Sequence, residues 1–130
     1  HVFCVFDKDQ HESYERAIQK VNGLASRVHE PMPIRAATAV PCFELWLLLH
    51  FERTDRPMRT CVEVVQVLNR HIPGYVKGES DITGELLTRT QKAVVNARWL
   101  LRQQAAASTD NPSTRIHELV NYLTGLANSQ

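Results

Sequence analysis

The stretch VFCVF at residues 2–6 is continuously apolar, short, and rich in Val and Phe. It reads as a strand of the kind covered on both faces of a parallel sheet. The next segment narrows the fold further. From Tyr14 onward, apolar residues recur at three- and four-residue steps, through Ala17, Ile18, Val21 and Leu24 or Ala25. That pattern predicts an amphipathic helix with Ser13 as its N-cap. The loop HEPMP then leads into a second apolar run, IRAATAV, which ends at Pro41. Strand, helix, strand at this spacing is a βαβ unit with parallel strands and a right-handed crossover.

Beyond Pro41 the pattern becomes mostly helical. PCFELWLLLHFE is apolar nearly all round with Pro41 near its start, so it predicts a centrally buried helix. RTCVEVVQVLNRH follows as a helix whose β-branched residues leave a strand open. IPGYVKGESD is a loop, residues 82–107 read as one long helix, and Asn111 and Pro112 mark a turn. A last amphipathic helix carries Ile116, Leu119, Val120, Leu123 and Leu126, with Ser113 or Thr114 as cap. The fold class is therefore α/β, with a βαβ core over residues 1–41 and a predominantly α-helical part over 42–130. The 130 residues supply one modest core and so one domain.

Fifteen Lys and Arg against fourteen Asp and Glu leave a formal charge of +1, so a polyanion would have to be held by a local patch rather than an overall field. Cys4, Cys42 and Cys61 are widely spaced and form no C-x-x-C pair, which suggests neither a zinc knuckle nor a disulfide framework and makes a reducing, cytoplasmic setting the default. The most apolar run holds Glu44 and His50 and falls well short of the roughly twenty residues that span a bilayer, so no membrane partner is expected. The chain opens at His1 almost inside a strand, and is expected to be a piece of a longer protein.

The chemistry-bearing residues begin with Asp7 and Asp9 in VFDKDQH. On an extended chain, side chains at i and i+2 share a face, so these carboxylates converge. Like charges that close are tolerable with a cation between them, and Mg²⁺ suits hard oxygen ligands. The carboxyl ends of strands are also where ligands gather in open α/β sheets. A D-x-D is equally a common solvated turn, and His11 and Glu12 are either further ligands and acid/base groups or a polar entry to the next helix.

Glu44 and His50 stand in the most apolar stretch, where such side chains need partners. About 120° apart on a helix, they do not share one ligand. Glu44 is either a first-turn acid favoured by the helix dipole or a functional acid; His50 reads as a hydrogen-bonded core histidine. Tyr75 and Lys77 lie on a glycine-flanked loop, and Asn111, Ser113, Thr114, Arg115 and His117 cluster near the last helix. The Lys and Arg among them either meet a phosphate or lie in solvent.

Taken in order, VFDKDQH after an apolar strand, PCFELWLLLHFE, Y-x-K at Tyr75 and Lys77, and NPST-x-x-H-E-L-V resemble the RloB-like family, found beside type I restriction-modification genes and among abortive-infection systems. PCFELWLLLHF is the most specific of these. The resemblance implies a Toprim-like fold, in which Mg²⁺ is held by a glutamate on an early strand and a D-x-D on a later one. By that likeness Asp7 and Asp9 are the metal pair and Glu44 a third or a structural acid. His11 and Lys77 would then steady charge on a phosphate. His50 and Asn111 also match motif positions. Family members usually begin with an apolar strand ending in an E-G-x-x-T-E-like stretch, which is absent here and leaves the Toprim glutamate unassigned.

The implied activity is a Mg²⁺-dependent nuclease or phosphodiesterase acting on nucleic acid, with Mn²⁺ as a substitute ion. The alternative is a non-catalytic interaction or sensor module that docks a protein of a restriction or anti-phage complex. A third reading is phosphoryl transfer on a nucleotide.

Overall fold

The computed structural model describes residues 1–27, 34–78 and 81–129. The HEPMP loop and part of the segment after Lys77 therefore lie outside the described residues. The first elements are β1 (Val2–Asp7), α1 (Tyr14–Arg27) and β2 (Ile34–Val40), and β1 pairs with β2 in parallel from Val2 opposite Ile34 to Asp7 opposite Ala39. The βαβ unit is thus formed as the periodicity predicts. Ser13 contributes its carbonyl, which accepts the Ala17 N–H at 2.9 Å and opens the first helical turn.

The expectation that β1 is covered on both faces is corrected. In the three-stranded sheet the order is β1-β2-β3, so β1 is an edge, and Val5 is 54% exposed. The covered strand is β2: Ala37, Thr38, Ala39 and Val40 are all buried, with helices packed along it. Its second neighbour, β3 (Ser113–Thr114), pairs antiparallel through Ala39 opposite Thr114 and Val40 opposite Ser113. The sequence predicts a turn and a helix cap here rather than a strand. The N-cap of the last helix is Arg115 rather than Ser113 or Thr114, and the Thr114 hydroxyl instead donates to the Thr38 carbonyl at 2.8 Å and accepts the Ile116 N–H at 3.1 Å.

The helical part comprises α2 (Glu44–Leu48), α3 (Cys61–Leu68), α4 (Thr83–Leu87), α5 (Thr90–Ala107) and α6 (Ile116–Asn128). The α2 helix is shorter than the apolar run, because its exit tightens: His50 and Phe51 donate to Leu47 and Leu48, three residues back. For α3 the helix–strand ambiguity is resolved by its first turn. The Thr60 hydroxyl accepts the Glu63 N–H at 3.4 Å, and the Glu63 carboxylate accepts the Arg59 N–H at 2.9 Å. That reciprocal capping satisfies donors that a strand would have to pair elsewhere.

The single long helix expected over residues 82–107 is two helices. The break falls at Thr88 and Arg89, where the Thr90 hydroxyl donates back to the Leu86 carbonyl at 3.1 Å and the Arg89 guanidinium takes the Glu85 carbonyl at 2.8 Å. Side-chain donors thus capture carbonyls of the preceding turn, an arrangement that favours a bend. The core is one contiguous cluster in which Leu45, Leu48 and Leu49 of the α2 segment meet Met58, Val64, Leu68, Ala93, Ala97 and Leu100.

The cysteine reading is also corrected: Cys42 and Cys61 form a disulfide, with Cα atoms 5.6 Å apart, while Cys4 is free. Cys42 lies just before α2 and Cys61 opens α3, and these two helices pack together. Nineteen residues of separation conceal that proximity. No helix among the described residues is long and apolar enough to cross a membrane.

Candidate functional site

The residues singled out in sequence fall into two places. The first is a groove of about 460 Å³ at the carboxyl end of the parallel strands, lined by Phe6, Asp7, His11, Ser13, Tyr14 and Phe43 among others. Asp7 closes β1, and the turn after it is tied to the end of β2: the Lys8 N–H donates to the Ala39 carbonyl at 3.1 Å and the Asp9 N–H to Pro41. Asp9 itself has φ +40°, so the extended backbone ends before it. The i, i+2 alternation that predicts two converging carboxylates therefore stops one residue early, and the Asp9 carboxylate is aimed by a turn instead.

No hydrogen bond or ion pair engages the side chains of Asp7, Asp9 or His11 among the described residues. Lys8, between the two acids, is fully occupied. Its Nζ lies 3.0 Å from the Asp110 carboxylate and 3.9 Å from Glu15, and the hydrogen bond to Asp110 raises its pKa. Tyr14 is buried beside it, and that burial raises the pKa of its phenol. The groove thus offers a carboxylate and an imidazole without such partners among the described residues, while the neighbouring Lys8 ammonium is paired with Asp110 and Glu15.

The second place is built around Glu44, which is 3% exposed on the first turn of α2. Its Oε2 accepts the Tyr75 hydroxyl at 3.1 Å, and its Oε1 lies 3.4 Å from Lys77 Nζ and 3.4 Å from Cys61 Sγ. Burial, reinforced by the carboxylate, pushes the Tyr75 phenol up to about 12. The structure therefore joins Glu44 to Lys77 but brings neither to the groove that Asp7 and His11 line. Among the described residues, the one group of three His, Cys, Asp or Glu ligand atoms within 4.8 Å of one another is Cys42, Glu44 and Cys61.

The remaining candidates lie outside both places. His50 Nδ1 donates to the Trp46 carbonyl at 2.9 Å inside the core, and burial lowers its pKa, as a core histidine should behave. The Asn111 side chain grips Met58 twice, donating to its carbonyl at 2.7 Å and accepting its N–H at 3.0 Å. Arg115 pairs with Glu118 at 2.8 Å. His117 is 3% exposed, its Nδ1 finds no hydrogen-bond partner among the described residues, and burial lowers its pKa. The role of the cysteines beside Glu44 escapes sequence reasoning because no local spacing signals it. Tyr75 is visible in sequence as a loop residue and as part of the Y-x-K motif, but not as a partner of Glu44.

No curated protein and no solved structure matches the chain. A family model does: that of RloB-like protein, over residues 1–123. Covering nearly the whole chain in one match, it shows that the protein belongs to the RloB-like family.

Proposed function

We propose that this RloB-like chain contributes to a Mg²⁺-dependent, Toprim-type phosphodiesterase site acting on nucleic acid in a bacterial defence system. The observation that supports it is the unengaged pair of Asp7 and His11 on one groove at the carboxyl end of a parallel strand pair, with the Asp9 carboxylate in the adjoining turn. The donor set suits the ion. Mg²⁺ is commonly held by one or two carboxylates, its remaining positions filled by water and substrate phosphate oxygens, so the lack of a third acid within reach among the described residues is compatible with it.

In this reading Asp7 and Asp9 hold the ion. Bound there, Mg²⁺ or Mn²⁺ would polarise a scissile phosphate and lower the pKa of an attacking water. His11, exposed at the groove, accepts or returns the proton. Phe43 and Tyr14 line the groove as aromatic walls. Glu44 and Lys77 act as positioning residues: their contact holds the Tyr75–Lys77 loop against the start of α2, next to Phe43.

Calorimetric titration with Mn²⁺ tests this directly. Uptake is expected in the unsubstituted chain and lost in Asp7→Asn and Asp9→Asn, with cleavage of DNA or RNA by the full-length protein lost in parallel. Uptake that survives both substitutions would refute the assignment.

A second reading, a non-catalytic docking module, is favoured by the exposed β1 edge with Val2 and Val5 and by Leu123 and Leu126 on α6. It predicts no heat of metal binding and a molecular mass that rises with concentration.

A further inference from the structure

We propose that Cys42, Cys61 and Glu44 form a binding site for a thiophilic divalent cation of the Zn²⁺ class, available when the Cys42–Cys61 disulfide is reduced. The site is separate from the Asp7 groove and does not depend on the phosphodiesterase reading. Its three ligand atoms lie within 4.8 Å of one another, two sulfurs and one carboxylate oxygen. Zn²⁺ takes this mixture of ligands in tetrahedral geometry and can complete its shell with water. Harder cations such as Mg²⁺ do not favour sulfur.

Each ligand comes from the start of a helix in the rigid part of the fold. Cys42 precedes α2, Glu44 is the first residue of α2, and Cys61 is the first residue of α3. Cys42 is fully buried and Glu44 nearly so, while Cys61 is partly buried, so the site lies at the margin of the core. The Tyr75 hydroxyl holds the other carboxylate oxygen at 3.1 Å, fixing the orientation of Glu44 as outer hydrogen bonds do at metal sites.

The structure also shows that this spot attracts positive charge. Lys77 Nζ sits 3.4 Å from Glu44 Oε1 and 3.9 Å from Cys61 Sγ, capping the pair, whose own separation is 3.4 Å. Lys77 is 56% exposed on its loop, so its ammonium can withdraw to solvent when a divalent ion arrives. The disulfide sets the condition for loading, because disulfide sulfur is a poor ligand whereas thiolate is a strong one. Reduction by a trialkylphosphine breaks the S–S bond. The phosphine becomes its oxide with oxygen from water, and the sulfurs receive two electrons and two protons. Metal binding then releases the two thiol protons.

The test is a Co²⁺ titration of the chain after phosphine reduction and removal of the reductant, with Zn²⁺ added afterwards. One Co²⁺ per chain is expected, with a thiolate-to-cobalt charge-transfer band that Zn²⁺ bleaches, and no band in the oxidised chain. Cys61→Ser should weaken binding at least ~10-fold, and Glu44→Gln about 10-fold with the sulfur band retained. Lys77→Met should bind as tightly or more tightly, because a competing cation is gone. A reduced chain that stays folded by circular dichroism yet shows no band overturns the proposal. So does a reduced chain that unfolds and is not refolded by metal, or a band unchanged by Cys61→Ser.

Discussion

The Tyr75 hydroxyl donates to Glu44 Oε2 at 3.1 Å, with both residues almost entirely out of solvent. This bond joins a loop to the first turn of a core helix, and the carboxylate it serves has only one other hydrogen-bonding or charged protein neighbour among the described residues, Lys77, apart from the cysteine sulfur. Removing the buried donor leaves a carboxylate short of a partner, so Tyr75→Phe should cost about 1–3 kcal/mol. Lys77→Met should cost less than ~1 kcal/mol, since its ammonium is more than half exposed and screened. Urea unfolding of the two variants checks the order; a larger loss for Lys77→Met would show that the ion pair, and not the phenol, anchors the loop.

Acid should weaken the fold before its carboxylates titrate. Burial lowers the pKa of both His50 and His117, so the unfolded chain takes up their protons first, near its ordinary value of about 6.5. Their contribution is complete above that value and is lost as pH falls through the depressed folded values. Measured urea midpoints should start to decline as pH falls below about 6.5, and those of the double variant His50→Gln, His117→Leu should decline less. His117→Leu also removes a buried nitrogen that has no partner among the described residues, which limits its own cost at neutral pH.

Asp9 has separable backbone and side-chain roles. With φ at +40°, glycine should be tolerated there, whereas Val should cost about 1–2 kcal/mol because its branched Cβ clashes in this region. Thermal melts of Asp9→Gly and Asp9→Val distinguish this from a purely ionic requirement. Equal melting temperatures would show that the turn does not constrain the position.

Asn111 closes the chain between the segment after α2 and the approach to β3. Asn111→Ala removes both hydrogen bonds to Met58 and should destabilise by about 1–3 kcal/mol, with Asn111→Asp intermediate because it keeps only the acceptor. Hydrogen exchange at the Met58 amide gives a local readout, and unchanged protection in Asn111→Ala would count against the clasp.

Much of the fold is legible locally. Continuous apolar runs and three- to four-residue periodicity place β1, α1 and β2, and the composition of CFELWLLLHF places the α2 segment in the core, because burial of apolar side chains follows from their own chemistry. For α3 the sequence leaves helix and strand open because of its β-branched residues, and the hydrogen bonds made by Thr60 and Glu63 decide for the helix. Asp7 and His11 are visible as candidates because polar residues directly after an apolar strand stand out.

Tertiary structure alone decided the rest. Whether β1 is flanked or an edge depends on which strands exist to pair with it, and the two-residue β3 is a strand only because β2 offers it a ladder. The disulfide between Cys42 and Cys61, and the meeting of Glu44 with Tyr75 and Lys77, arise from α2, α3 and a loop packing together across separations of 17 residues or more. Periodicity reports which face of an element is apolar; it says nothing of which distant element will cover that face, and the chemistry of this chain lies at those contacts.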